Sequence, residues 1–346
     1  MLLFSARIPS TPHVSAMQKQ GDVEGLSQVL LHDEDPYARR AAAYALGKMG
    51  QREAVPALIE ALRDEETPVA LYAAQALGRL GDQRAVPPLL ILLQEAEAPR
   101  RVAAAEALGA LGDRKAVPGL LAALREPYLR TAAVRALGML GDPQASPHLI
   151  PLLQDKQGEV RQAAAWALGQ IGDRRAASHL VAVLGDECSR ARIAAVEALG
   201  RIGDTQAVPP IIHALRDADD GVRATAARVL GDLGDRRAVQ PLIDALQDPY
   251  WMVRQSAANS LGRIGDPQAL EPLIAALHDE DHRALIGPIR GLARLGDQQA
   301  VPPLIDLLTH EDTQVRQEAV EALKVLTGRD FGDDPSLWQK WWKAQQ

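Results

Sequence analysis

The apolar positions of this chain fall into a pattern that returns about every 31 residues. A Leu-Gly step, one variable residue, an apolar residue and a Gly recur from Leu46-Gly47, Leu77-Gly78, Leu108-Gly109 and Leu137-Gly138 onward. They continue through Leu168-Gly169, Leu199-Gly200, Leu230-Gly231 and Leu261-Gly262, with degenerate copies at Leu292 and Leu323. Successive leucines are 31 residues apart in eight of the nine intervals; Leu108 to Leu137 is 29. This gives ten copies over residues 18–327. Repetition at such a period marks a stack of supersecondary units, each unable to bury its apolar faces alone.

Each copy reads as two helices. Leu58, Ile59 and Leu62 have helical spacing in the first (helix A), and Val160, Ala164, Ala167, Leu168 and Ile171 mark the buried side of a second (helix B). A Gly-Asp step joins the copies, as at Gly81-Asp82, Gly112-Asp113 and Gly296-Asp297. Its Gly suits the left-handed residue that ends a helix, and its Asp suits the cap of the next. Pro56, Pro87, Pro118, Pro209 and Pro302 then fall in the first turn of helix A, where a missing N–H costs little. The expected fold is all-α: an α-solenoid, wound as a right-handed superhelix, of about ten helix-pair repeats. Residues 328–346 are expected to form a C-terminal capping helix, because Trp338, Trp341 and Trp342 share one face and, with Phe331, can cover the open end. Residues 1–17 carry no repeat pattern, and Met17, directly before the first copy, is expected to mark the natural start.

The motif Gly-Asp-x-x-Ala-Val-Pro, then Leu-Ile-x-Ala-Leu, Asp, Val-Arg and Ala-Ala-x-Ala-Leu-Gly closely resembles the HEAT-like repeats of the phycobilisome-lyase type. The resemblance covers about nine-tenths of the chain and rests mostly on packing residues. It implies a repeat scaffold and, as an enzyme-class alternative, a bilin lyase subunit. Such a subunit would hold phycocyanobilin by groove arginines and aromatic rings. Deoxyhypusine hydroxylases also resemble this repeat, but they need His-Glu pairs within helices. The one such pair here, His310-Glu311, falls at a turn.

Composition narrows the function. Aromatics make up 3% of the chain, so Ala and Leu must fill closely packed helices. The formal charge of −7 disfavours nucleic acid as a partner. A single cysteine, Cys188, excludes an intramolecular disulfide framework. No apolar run suits a membrane span, and the N-terminus is a poor signal peptide, so a cytoplasmic location is expected.

Charge that repeats with the copies is expected to be structural. Seven positions before the marker leucine, eight of ten copies carry Arg, including Arg39, Arg130, Arg192, Arg223 and Arg254. Thirteen positions before it, seven carry Asp, including Asp64, Asp155, Asp217, Asp248 and Asp279. These two columns are expected to pair along the stack. The variable columns of helix B hold eleven basic against seven acidic residues, so the helix-B side should be mildly basic. All seven aromatics between the two ends lie in helix B or the turn entering it. Tyr44 and Trp166 share a column otherwise filled mainly by charges and should be exposed, whereas Tyr37, Tyr128 and Tyr250 are expected to be partly buried. Met139, Met252, Leu71, Val102, Ile193 and Ile286 add apolar patches.

The expected function is a non-catalytic scaffold that binds an acidic or amphipathic protein partner on its helix-B concave face. The contacts are expected from Tyr44, Tyr72, Arg135, Trp166, Arg201, Arg228, Trp251, Arg263, Arg290 and Arg294. No catalytic or metal residue and no cofactor is expected. His278 and His282 lie at an interhelical turn, and Cys188, although near Arg190 and Arg192, has no positioned base. Two irregularities should shape the face: the fourth copy has lost two turn residues at Arg125–Tyr128, and Gly287-Pro288 should kink its helix.

Overall fold

The computed structural model describes residues 11–345, and among them every regular element is helical. The chain divides into two bodies, Met1–Asp173 and Arg174–Gln346. Each holds five helix pairs of the predicted kind, from Val23–His32 with Pro36–Met49 to Val301–Asp306 with Thr313–Thr327. The fold is an α-solenoid repeat.

The linker between repeats is built as the Gly-Asp step requires, with one refinement. Gly81 ends Thr67–Leu80 at φ 68°, a left-handed conformation that only a residue without a Cβ adopts freely. The Asp82 carboxylate then accepts from the Arg84 N–H at 3.0 Å. It therefore caps a short 3-10 turn, Gln83–Ala85, and helix A begins only afterwards at Val86 with Pro87 in its first turn. The extra turn drives Ala85 into the core with no exposed surface.

Successive B helices pack directly on one another through the Leu-Gly step. A methyl placed on Gly109 would lie 2.7 Å from Ala136 Cα, and one on Gly138 would lie 2.8 Å from Ala167 Cα. The glycine admits the small residue of the next helix B, and this contact sets the spacing of the row. At Gly262 the facing residue is Gly291, and Gly287 lies against the Gln255 backbone, so these two helices meet backbone to backbone. Helices A of successive repeats touch only sparsely. Within each body the B row is thus the tighter side, toward which a stack bends.

The two regular charge columns form a ladder across neighbouring repeats. Arg39 Nε donates to Asp64 Oδ2 at 2.8 Å and its Nη2 to Oδ1 at 3.0 Å. Arg192 with Asp217, Arg223 with Asp248 and Arg254 with Asp279 repeat this two-pronged geometry. Arg130 reaches Asp155 at 2.7 Å. Each carboxylate also accepts from the backbone two residues on, as Asp217 does from the Asp219 N–H, and so fixes the interhelical turn. Burial, the largest single influence, pushes Asp217 up, yet the hydrogen bonds from Arg192 and the Asp219 N–H, with the charges of Arg192 and Arg223, together hold the acid below its ordinary 3.8. Where the fourth repeat has lost two turn residues, Glu126 takes over as the partner of Arg101, at 3.2 Å.

The ends depart from the repeat. Trp338 of helix Pro335–Lys343 is wholly buried, edge-on to Phe331 and Trp341, and its indole N–H donates to the Gly332 carbonyl at 2.8 Å. At the other end, residues 12–17 are not patternless chain. Helix Pro12–Gln20 packs on the first pair with Val14 buried, and Met17 lies inside it, so the folded part reaches past the expected start. A single turn of apolar contact is too short to show as a repeat in sequence. The rest of the unpatterned segment, residues 1–10, lies outside the described residues. Pro288 does not interrupt His282–Leu295, which runs unbroken for 14 residues like its neighbours. No helix among the described residues is long and apolar enough to cross a membrane.

Two outcomes follow. Gly109→Val should destabilise the protein by about 1–3 kcal/mol in urea unfolding, because backbone and not a mobile side chain stands where the new atoms must go. Since the folded-state pKa of Asp217 is depressed, its stabilising contribution is full above the ordinary carboxylate range and is lost as pH falls below about 4. Thermal scans should show wild type losing more of its Tm than Asp217→Asn as pH is lowered through that window.

Candidate partner-binding face

The structure sorts the variable residues of helix B into different roles. In the N-terminal body, Tyr37, Arg40, Tyr44, Tyr72 and Arg79 form one continuous stack. The Arg40 guanidinium lies over the Tyr37 ring at 5.2 Å and the Tyr72 ring at 5.8 Å. Tyr72 meets Tyr44 edge-on at 6.3 Å, and Arg79 lies over Tyr44 at 5.6 Å. Such cation–aromatic contacts hold side chains in place that would otherwise be mobile.

This stack changes several expectations. Tyr72 is buried (6% exposed), so it supports the face from beneath and is not itself a contact. Tyr44 and Trp166 are half-buried, not fully exposed. The glycine of the preceding repeat leaves a hollow beneath the Trp166 ring, whose edge would lie 2.8 Å from a methyl on Gly138. Conversely, Tyr37 (55%) and Tyr128 (46%) are exposed where partial burial was expected, because both sit at helix starts beyond the reach of the next turn. Near Trp166, Met139 and Arg135 are exposed, four residues apart on Pro127–Leu140. Ile286 is buried and adds nothing to the surface.

In the C-terminal body the arginines read as free basic groups are mostly engaged. Arg228 donates to Glu197 at 3.0 Å and to Asp232 at 3.3 Å. Arg263 reaches the same Asp232. Arg290 pairs with Glu318, which holds its guanidinium above the usual value, and Arg294 donates to Asn259 at 3.1 Å. Variable columns from neighbouring repeats meet side by side, so opposite charges in them find each other. Much of the expected basic excess is therefore neutralised here, and only Arg201, of the expected arginines in this body, is exposed with no partner among the described residues. Trp251 is half-buried beneath Arg283, whose guanidinium lies 4.6 Å from the ring centre. Asp281 pairs with that guanidinium at 2.6 Å, and the hydrogen bond from Arg283 pulls its carboxyl down to about 2.

The groups weighed for catalysis are placed as turn residues. His310 Nδ1 accepts from the Asp312 N–H at 3.0 Å, and the Cys188 N–H donates to Asp186 at 2.8 Å. Among the described residues, no group of three or more His, Cys, Asp or Glu is arranged to hold a metal ion. Sequence reasoning missed the stacking of Tyr37, Arg40 and Arg79; the signal was present, since Tyr37 and Arg40 are one helical turn apart on one copy and Arg79 lies two turns further along on the next.

The HEAT-repeat family profile matches residues 23–109, 91–161, 146–224, 208–288 and 288–337. No curated protein matches the chain. Among solved structures, Kap95p from a complex with RanGDP is similar at TM-score 0.64 and 16% identity, over 96% of this chain and 54% of that one. An engineered protein aligns at TM-score 0.46 and 22% identity, covering 88% of this chain and 98% of the other. Human deoxyhypusine hydroxylase aligns at TM-score 0.34 and 24% identity, covering 82% and 99%.

Replacing the buried ring should cost far more than replacing the exposed one. Tyr72→Ala is expected to lose about 3 kcal/mol in urea unfolding, as large-to-small core changes do. Tyr37→Ala should stay within about 0.5 kcal/mol, as exposed sites do.

Proposed function

The chain belongs to the HEAT-repeat family, and from that premise we propose that it is a non-catalytic scaffold that holds a protein partner against its B helices. The observation that carries this reading is that each body carries partly exposed aromatic rings and arginines on its own B helices. Half-buried Trp166 beside exposed Arg135 and Met139, and half-buried Trp251 under Arg283, each offer an apolar ring with its position already fixed. Rings and guanidiniums held in place lose little entropy on binding, which is why they dominate interface energies. Kap95p, whose fold is similar, binds Ran, and here that supports a partner seated on the repeat surface. The chain spans just over half the length of Kap95p, so a correspondingly shorter interface is proposed.

The proposed partner is amphipathic, with acidic groups among apolar ones. In the N-terminal body Tyr44 and Trp166 would take apolar groups and Arg135 a carboxylate; in the C-terminal body Trp251 would take an apolar group and Arg201 a carboxylate. Arg228, Arg263, Arg290 and Arg294 shape the surface through their own pairs and would act as a polar rim. A bilin-holding role draws on the repeat resemblance alone, and no feature of the geometry favours it.

Affinity capture with mass spectrometry, comparing wild type with Trp166→Ala/Trp251→Ala, tests the scaffold. Partners should drop at least tenfold with the double variant while its thermal unfolding stays cooperative. Undiminished capture of the same partners would overturn the reading.

A further inference from the structure

Among the described residues, the guanidiniums of Arg40, Arg79, Arg101 and Arg283 lie over aromatic rings, and they are of two kinds. Arg283 covers Trp251 and is held by the Asp281 carboxylate at 2.6 Å. Arg101 covers Tyr128 and is held by the Glu126 carboxylate at 3.2 Å. Each is a complete unit of ring, planar cation and carboxylate. Arg40 lies over Tyr37 and Tyr72, and Arg79 over Tyr44, yet among the described residues neither has a carboxylate partner. Arg40 Nε is shut off from solvent with no acceptor among the described residues.

The surroundings offer nothing to complete these two. Helices Pro36–Met49 and Thr67–Leu80 contain no Asp or Glu, while Lys48 adds a third exposed cation. In the flanking turns, Asp35 accepts from the Tyr37 N–H at 2.9 Å, and Asp64 and Glu65 pair with Arg39; none of the acids there pairs with Arg40 or Arg79 among the described residues. A guanidinium stacked on a ring still presents its N–H edge, shaped for a carboxylate. Because the Arg40 Nε is sealed and finds no acceptor, the remaining N–H groups of that guanidinium are the ones an incoming anion can meet.

We propose that the B helices of the first two repeats form a reading site for an acidic segment of a protein partner, whose Asp or Glu carboxylates complete the Arg40 and Arg79 units. This deepens the scaffold reading above and rests on it. The protein's own Asp281 and Glu126 show the chemical group that fits. A carboxylate-bearing peptide suits the site better than a nucleic acid: two stacked guanidiniums and one lysine are too few for a phosphate backbone, which needs an extended basic track. Exposed Tyr37 and half-buried Tyr44, beside the two cations, would take apolar side chains flanking the acids.

The test uses the full chain and a fluorescein-labelled peptide of alternating Glu and Leu, with its Gln-for-Glu counterpart, read by fluorescence anisotropy. Wild type should bind the Glu peptide at least tenfold more tightly than the Gln peptide. Arg40→Gln/Arg79→Gln should lose that preference, Arg40→Lys/Arg79→Lys should restore only part of it, and Arg283→Gln, in the other body, should leave it intact. Thermal unfolding of each variant confirms folding, since neither Arg40 nor Arg79 carries a salt bridge whose loss would destabilise the chain. Equal binding of the two peptides, no binding of either, or an unchanged preference in the double variant would each overturn the proposal. So would a single-stranded RNA oligonucleotide that binds more tightly than the Glu peptide. Should partners captured by wild type depend on Trp166 and Trp251 but not on Arg40 and Arg79, the scaffold stands and this site falls.

Discussion

The close approach of one helix B to the next is the constraint on which this protein depends. Gly109 against Ala136 and Gly138 against Ala167 leave no room for a Cβ, so the B rows are held at a spacing that larger residues would not allow. That spacing brings each ladder arginine within reach of the carboxylate in the following repeat, as Arg192 reaches Asp217. It also brings the variable columns close enough to interact. Tyr44 touches Tyr72, Arg228 touches Glu197, and Arg290 touches Glu318, each across a repeat boundary.

The two charge systems differ in what they do. The ladder pairs are largely withdrawn from water and take hydrogen bonds from turn backbone, so they fix register and turn geometry together. Pairs of this kind specify an arrangement more than they add stability, because desolvation offsets much of the attraction. The pairs on the variable face are more exposed, and such pairs are individually weak. Their consequence is for recognition: they cancel charge over much of the C-terminal body, while the first two B helices keep cations with no acid among them. Charge counted over the whole chain conceals this division.

The sequence by itself determined the architecture. A period of 31 residues, Gly-Asp steps and an early Pro gave the helix pairs, their number and the paired Arg and Asp columns, because each of these features acts within a repeat or identically between repeats. The buried Trp338 was legible for a similar reason: three Trp on one short helix must cover something. What the tertiary structure alone decided is how unlike residues on neighbouring copies meet. Tyr72 lies beneath the face and Tyr37 on it, and Trp166 settles over a glycine. Arg263 pairs with Asp232, while Arg40 and Arg79 rest on rings without a counter-ion among the described residues. A column read down one helix gives direction but not partner. Partners are set by the distance and offset between helices, which arise only once the repeats are stacked.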